Sequence, residues 1–155
     1  MKDLLFGEIL ETNFSVDKDQ IEKALKFQRE YEGKLGEILL NSGVISEEQI
    51  STCLSIQSGI KEIKDEIKEI SNLEFKPLLE IEPDWFIENE IIPLYAKNSQ
   101  MFFVIKDPLN LYPIEIVNGV FSEYKISLLL ADDRKYREIL NFFELRYFKE
   151  AEIGR

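Results

Sequence analysis

The chain has 155 residues, 45% of them hydrophobic, with a formal net charge of −11, no histidine and one cysteine. That length and apolar content suffice for one good core or two small ones and exclude a disordered tail, while the sign of the charge argues against a general nucleic-acid or anionic-membrane surface. One cysteine excludes an intramolecular disulfide, and the lack of histidine removes the commonest zinc ligand and the commonest general base.

The first sixty residues contain one motif written twice. Shifting the sequence by 29 residues lays Leu5–Gln28 over Lys34–Gln57, and 8 of the 24 positions are identical: Gly7/Gly36, Glu8/Glu37, Ile9/Ile38, Leu10/Leu39, Gln20/Gln49, Ile21/Ile50, Leu25/Leu54 and Gln28/Gln57. Chance supplies about one or two, so the matches mark a shared buried face and shared turns. Each copy is expected to fold as helix, tight turn, helix. In the second copy Leu35, Ile38, Leu39 and Leu40 make a short apolar helix that Gly43 can end in the left-handed conformation. Ser46 with Gln49 fits a capping box, and Ile45 with Ile50 a hydrophobic staple. Asp17, Gln20, Val16 and Ile21 repeat these signals in the first copy. Phe14 stands where the second copy has Gly43, so either Asn13 takes the left-handed role or the first turn is rebuilt. Cys53 matches Ala24 and is expected to be a small core residue.

From Gly59 to Ser71 the residues Ile60, Ile63, Ile67 and Ile70 recur at helical spacing, predicting an amphipathic helix with a charged outer face. Residues Lys61 to Glu90 carry 4 basic and 10 acidic groups, against 6 and 11 before them and 9 and 9 after, so this segment supplies −6 of the total. Such a concentration suits a basic partner surface, with Glu62, Glu66 and Glu69 as the candidate contacts. Asn72–Glu82, with Pro77 and a run of acids, reads as a linker.

Pro83–Glu90 opens a short helix with Trp85 and Phe86 as core anchors, and Ile91–Ala96 and Met101–Lys106 are β-prone runs around Asn98-Ser99, a hairpin signal. Leu109–Gly119 reads as a helix with Pro113 in its first turn, Tyr124–Leu130 as a third strand, and Asp132-Asp133 as the start of a final helix striped by Tyr136, Ile139, Leu140, Phe143 and Tyr147. The expected fold is α+β. A helical lobe of two helix-turn-helix repeats (1–60) leads through an amphipathic helix and linker (61–82) to a small three-stranded sheet lobe with packed helices (83–148), followed by a tail (149–155).

No catalytic constellation is readable. The sequence lacks a G-x-x-x-x-G-K-[ST] phosphate loop, G-x-G-x-x-G, C-x-x-C and H-E-x-x-H, and the acid pairs Glu47-Glu48 and Asp132-Asp133 lie in first turns of predicted helices, where negative charge meets the helix dipole favourably. No catalytic residue, metal ligand or resident cofactor is therefore expected. The sequence has no run of about 18 apolar residues and no signal peptide at its start MKDLLFGEIL, so a cytoplasmic location is the default expectation.

The doubled pattern of Leu35-Gly36, Leu39, Gly43, Ile45, Ile50, Leu54 and Gln57, followed by a lobe with Ile92-Pro93-Leu94 and Asp107-Pro108, resembles the N-terminal domain of general secretory pathway protein E and type IV pilus assembly ATPases. The likeness runs over about residues 4 to 148. It implies a non-catalytic domain that docks a hexameric motor to the inner-membrane platform of its machine, and peripheral contact with that membrane through a partner. With no motor segment in these residues, the chain is expected to be either the N-terminal part of a longer ATPase or a free-standing relative. Some members of the family bind cyclic di-GMP across the two repeats. By that resemblance Gln28, Lys34, Leu35, Gly36 and Gln57 are the candidate ligand face, and weak cyclic di-GMP binding is the one ligand expectation. Each repeat of the binders typically opens with arginine, whereas this chain has Leu5 and Lys34. Glu11 and Phe14 also depart from the family pattern, at apolar and glycine positions respectively.

Overall fold

The computed structural model describes residues 2–64 and 80–153, with side chains described for 5–64 and 80–147. The chain divides into two compact units, Met1–Gly59 and Ile60–Arg155.

The first unit holds four helices: α1 (Lys2–Phe14), α2 (Lys18–Tyr31), α3 (Leu35–Asn41) and α4 (Glu47–Ser58). The cap residues set the starts of α2 and α4. At α4 the capping box is complete, with the Gln49 N–H donating to Ser46 Oγ at 3.2 Å and the Ser46 N–H donating to Gln49 Oε1 at 3.0 Å. At α2 the Asp17 carboxylate instead accepts from the N–H of Asp19, two residues on, at 3.0 Å. The two copies then interlock, because α1 packs on α4 while α2 packs on α3. Exchanging the copies maps one of these pairs onto the other, which makes the unit approximately two-fold symmetric. Its single core takes Phe6, Leu10, Val16, Ile21 and Ala24 from one copy and Leu35, Leu39, Ile45 and Cys53 from the other.

The repeated glycine marks where helices approach closely. A Cβ on Gly7 would lie 3.0 Å from Ile21 Cγ2, and one on Gly36 would lie 3.3 Å from Phe6 Cζ and 3.8 Å from Ile50 Cδ1. Gly7 with Ile21 and Gly36 with Ile50 are the same pair in the two copies.

The turns differ, and of the two alternatives for the first copy the structure takes the rebuilt turn and leaves Asn13 out of the left-handed role. Gly43 is left-handed at φ 78°, but in the first copy Ser15, at φ 52°, takes that conformation after α1 has run on through Phe14. Asn13 stays helical, its amide Nδ2 donating to the Ile9 carbonyl at 3.1 Å. The Leu39 carbonyl accepts from Val44, five residues on, whereas the equivalent Leu10 carbonyl accepts from Val16, six on. The extra residue lets the bulky Phe14 keep right-handed backbone and pass the unfavourable φ to a small side chain.

The second unit is α5 (Pro83–Glu88), β1 (Ile91–Lys97), β2 (Gln100–Ile105), α6 (Leu111–Val120), β3 (Lys125–Leu130) and α7 (Asp133–Ile153). The strand order is β1-β2-β3, with β1 antiparallel to β2 and β3 parallel to it, the parallel step made by crossing through α6. Asn98 and Ser99 both have positive φ, 51° and 63°, as a two-residue hairpin turn that follows the strand twist requires. Rings fill the core: Phe86 lies 6.3 Å from Phe103 and 6.2 Å edge-on to Phe143, and Phe103 lies 6.0 Å from Phe121.

Two elements depart from the sequence reading. The amphipathic helix expected from Gly59 is absent over residues 60–64, and residues 61–63 pair with β3 instead: the Ile63 N–H donates to the Leu130 carbonyl and the Leu130 N–H to that of Lys61, both at 2.8 Å. Backbone pairing with β3 outcompetes the local helical spacing there. The rest of that expected helix, and Asn72–Leu79 of the expected linker, lie outside the described residues. The final helix also runs on to Ile153, into the stretch expected to be a tail.

The glycines yield a stability test. Helical glycine ordinarily costs about 0.5–1 kcal/mol relative to alanine, and a Cβ at Gly119 meets nothing within 4 Å. Gly119→Ala should therefore raise the urea midpoint. Gly7→Ala should lower it, since overpacking costs about 1–3 kcal/mol; a Gly7→Ala protein as stabilised as Gly119→Ala would show that the helices do not meet there.

Candidate functional site

The repeat unit places the candidate ligand residues in three different environments. Lys34 is exposed at the N-cap position of α3, where its side chain makes no capping bond. Gln28, half-buried near the end of α2, donates from Nε2 to the Gly33 carbonyl at 2.8 Å and so braces the loop that joins the copies. Gln57 is half-buried at the matching place on α4. Leu35 is fully buried, and Gly36 lies beneath the Phe6 ring. The side chain of Leu35 thus serves the core, which leaves Lys34, Gln28 and Gln57 to offer polar groups. Backbone strain sits in the same loop at Glu32, a non-glycine residue with φ 62°, next to Gly33, which takes its φ of 107° without strain.

The departures from the family pattern are also placed. Leu5, equivalent to Lys34, is 47% exposed on α1, and Glu11 is exposed on the same helix. Phe14 is half-buried against the core.

The residue-level reading missed an apolar surface on α2 and α4. Phe27 and Ile56 are each 49% exposed and are separated by the repeat distance, 56 − 27 = 29, each standing immediately before its matched glutamine. Tyr31, 64% exposed, packs its ring 4.7 Å from that of Phe27. The signal was present in the alignment of the copies: both positions are apolar, and both fall off the buried stripe formed by Ile21, Ala24 and Leu25 or by Ile50, Cys53 and Leu54.

Elsewhere the charged and nucleophilic groups read as structural. Burial pushes the Cys53 thiol up to about 12, so it stays protonated near neutral pH. Tyr136 is raised by burial and then by the Glu90 carboxylate; Lys106 sits 5.3 Å from its ring centroid while pairing with Glu90 and, at 3.8 Å, with Asp133. Among the described residues no three acidic, cysteine or histidine side chains gather as a metal site, and no helix is long and apolar enough to cross a membrane. Glu62 is half-buried in the extended segment beside Leu130, and Glu66 and Glu69 lie outside the described residues.

No family model and no curated protein matches this sequence. Solved structures do. A structure of MshE with cdg is similar over 90% of this chain and 96% of its own, at a TM-score of 0.71 and 18% identity. The N-terminal domain of XpsE is similar over 88% and 90%, at 0.55 and 16%. The chain shares their fold. The α+β fold expected from the order of helices and strands agrees with the likeness to the MshE structure, and at these identities the likeness is one of fold.

Proposed function

We propose that this chain is a non-catalytic docking and regulatory domain of the kind that stands at the N-terminus of type II secretion or type IV pilus assembly ATPases, linking a motor to its inner-membrane platform. The observation that carries the reading is the fold likeness to MshE and to the XpsE N-terminal domain over nearly the whole of each chain. The residues are consistent with it. The sequence has no phosphate loop, its buried nucleophile is held protonated, and its acids concentrate between Lys61 and Glu90, with Glu62, Glu66 and Glu69 as proposed partner contacts.

A basic patch on the platform protein would meet that acidic segment, with long-range attraction speeding capture and salt slowing it. The test is biosensor capture of the chain by the cytoplasmic part of the platform protein. Binding with an on-rate that falls with salt, and falls again when Glu62, Glu66 and Glu69 are reversed to lysine, is expected. No capture would contradict docking; capture with an on-rate indifferent to the reversals at low salt would remove the acidic segment from it.

The second reading is a cyclic di-GMP-sensing domain, favoured by the approximate two-fold symmetry of the interlocked repeats, which suits a two-fold symmetric ligand, and by MshE having been solved with cdg. The side chains weaken it. Leu5 offers neither the planar guanidinium nor the charge that the resembled arginine would bring, and Lys34 keeps only the charge. Losing one charge-assisted hydrogen bond costs about 1.5–3 kcal/mol, or roughly 10 to 100-fold in affinity. Calorimetry at low salt should find weak or no binding, strengthened by Leu5→Arg together with Lys34→Arg. A sub-micromolar dissociation constant for the unaltered chain would make sensing the better account.

A further inference from the structure

The outer edge of β3 differs from the other edge of its sheet. In the parallel pairing with β2, the Lys125 N–H donates to the Ser99 carbonyl and the Ala131 N–H to that of Ile105, both at 2.9 Å, so the odd-numbered residues turn their backbone groups inward. Alternation turns those of Ile126, Leu128 and Leu130 outward. Leu130 is paired on that side with Lys61 and Ile63. Ile126 and Leu128 have no outward hydrogen-bond partner among the described residues.

Open edges invite strand addition, and proteins usually blunt them with proline, bulges or charge. At the opposite edge β1 carries both of the first two: Pro93 and a register shift between Pro93 and Tyr95. β3 reads KISLLL, with half-exposed Ile126, Ser127 and Leu128 and a single charge, Lys125, at its start. The chain itself already adds an extended segment to this edge, at Leu130.

We propose that the edge at Ile126 and Leu128 accepts a short extended, largely apolar segment of a partner protein as an added strand. The two outward residues present two N–H donors and two carbonyl acceptors, which only another extended backbone matches in spacing. The half-exposed side chains of Ile126 and Leu128 give that strand apolar contacts, and Lys125 favours a carboxylate at its end. Added strands take their affinity from such main-chain bonds and their specificity from the alternate side chains. The inference goes beyond the docking reading, since it fixes the kind of segment the sheet takes whichever protein carries it.

The test uses the whole chain, labelled with nitrogen-15, and as probe an acetylated and amidated peptide of alternating valine and threonine with an aspartate at each end. The amides of Ile126 and Leu128 should exchange freely in the peptide-free protein. At peptide saturation they should become at least ~10-fold protected, with the largest shift changes along β3. Leu128→Pro removes one outward donor without touching the β2 side; it should abolish binding while the Ala131 amide keeps its protection, and if the proline variant unfolds Leu128→Lys, which keeps the donor but puts a charge on the edge, should weaken binding at least ~10-fold. Protection of Ile126 and Leu128 in the peptide-free monomer, failure of the peptide to saturate, or shift changes away from β3 would each overturn the proposal. Protection that rises with protein concentration alone would give the edge to a second copy and overturn it too.

Discussion

The helical unit depends on two close approaches, one at each copy of the repeated glycine. Gly7 lies against Ile21 and Gly36 against Phe6, at distances where a Cβ would already be tight, while Ile50 stands in ordinary contact range of Gly36. A seven-residue helix such as α3 is far too short to hold together on propensity alone. It is stable because glycine lets its backbone come close enough to bury Leu35 and Leu39 completely. The cross-packing of α1 on α4 and α2 on α3 follows, and with it a core that neither copy could close alone.

Local signals in the sequence specified a large share of this. Ser46 with Gln49 and Asp17 before α2 marked the helix starts because capping involves residues two or three apart. Asn98-Ser99 marked the hairpin for the same reason. What misled was set by distant partners. Ile60 and Ile63 fit a helical period, yet residues 61–63 pair with Leu130, whose position no local pattern encodes. Ser15 takes the left-handed turn because Phe14 is held against the core, a packing fact invisible in a matched-glycine argument. At the candidate site, Lys34, Gln28 and Gln57 were legible as repeat-matched or near-matched polar positions, while Leu35 proved to be core. Phe27 and Ile56 were overlooked since apolar residues are first counted as core.

Buried positions pair identical or similar residues, such as Leu10 with Leu39 and Ala24 with Cys53. Exposed positions are mixed: Glu8 and Glu37 match and Phe27 and Ile56 are both apolar, whereas Leu5 stands opposite Lys34. Packing demands that each half of a two-fold core fit the other. Solvent makes no such demand. On the candidate ligand face the two-fold scaffold repeats the glutamine, Gln28 with Gln57, but not the cation, Leu5 with Lys34.

If the interlocked core is one cooperative structure, native-state hydrogen exchange read against denaturant concentration measures that most directly. The slowest amides of both copies, Leu10 and Ile21 in one and Leu39 and Ile50 in the other, should converge on a single opening free energy equal to that of the whole helical unit. Amides of one copy that open well below that value while the other copy stays closed would show two separable hairpins, and would contradict the account.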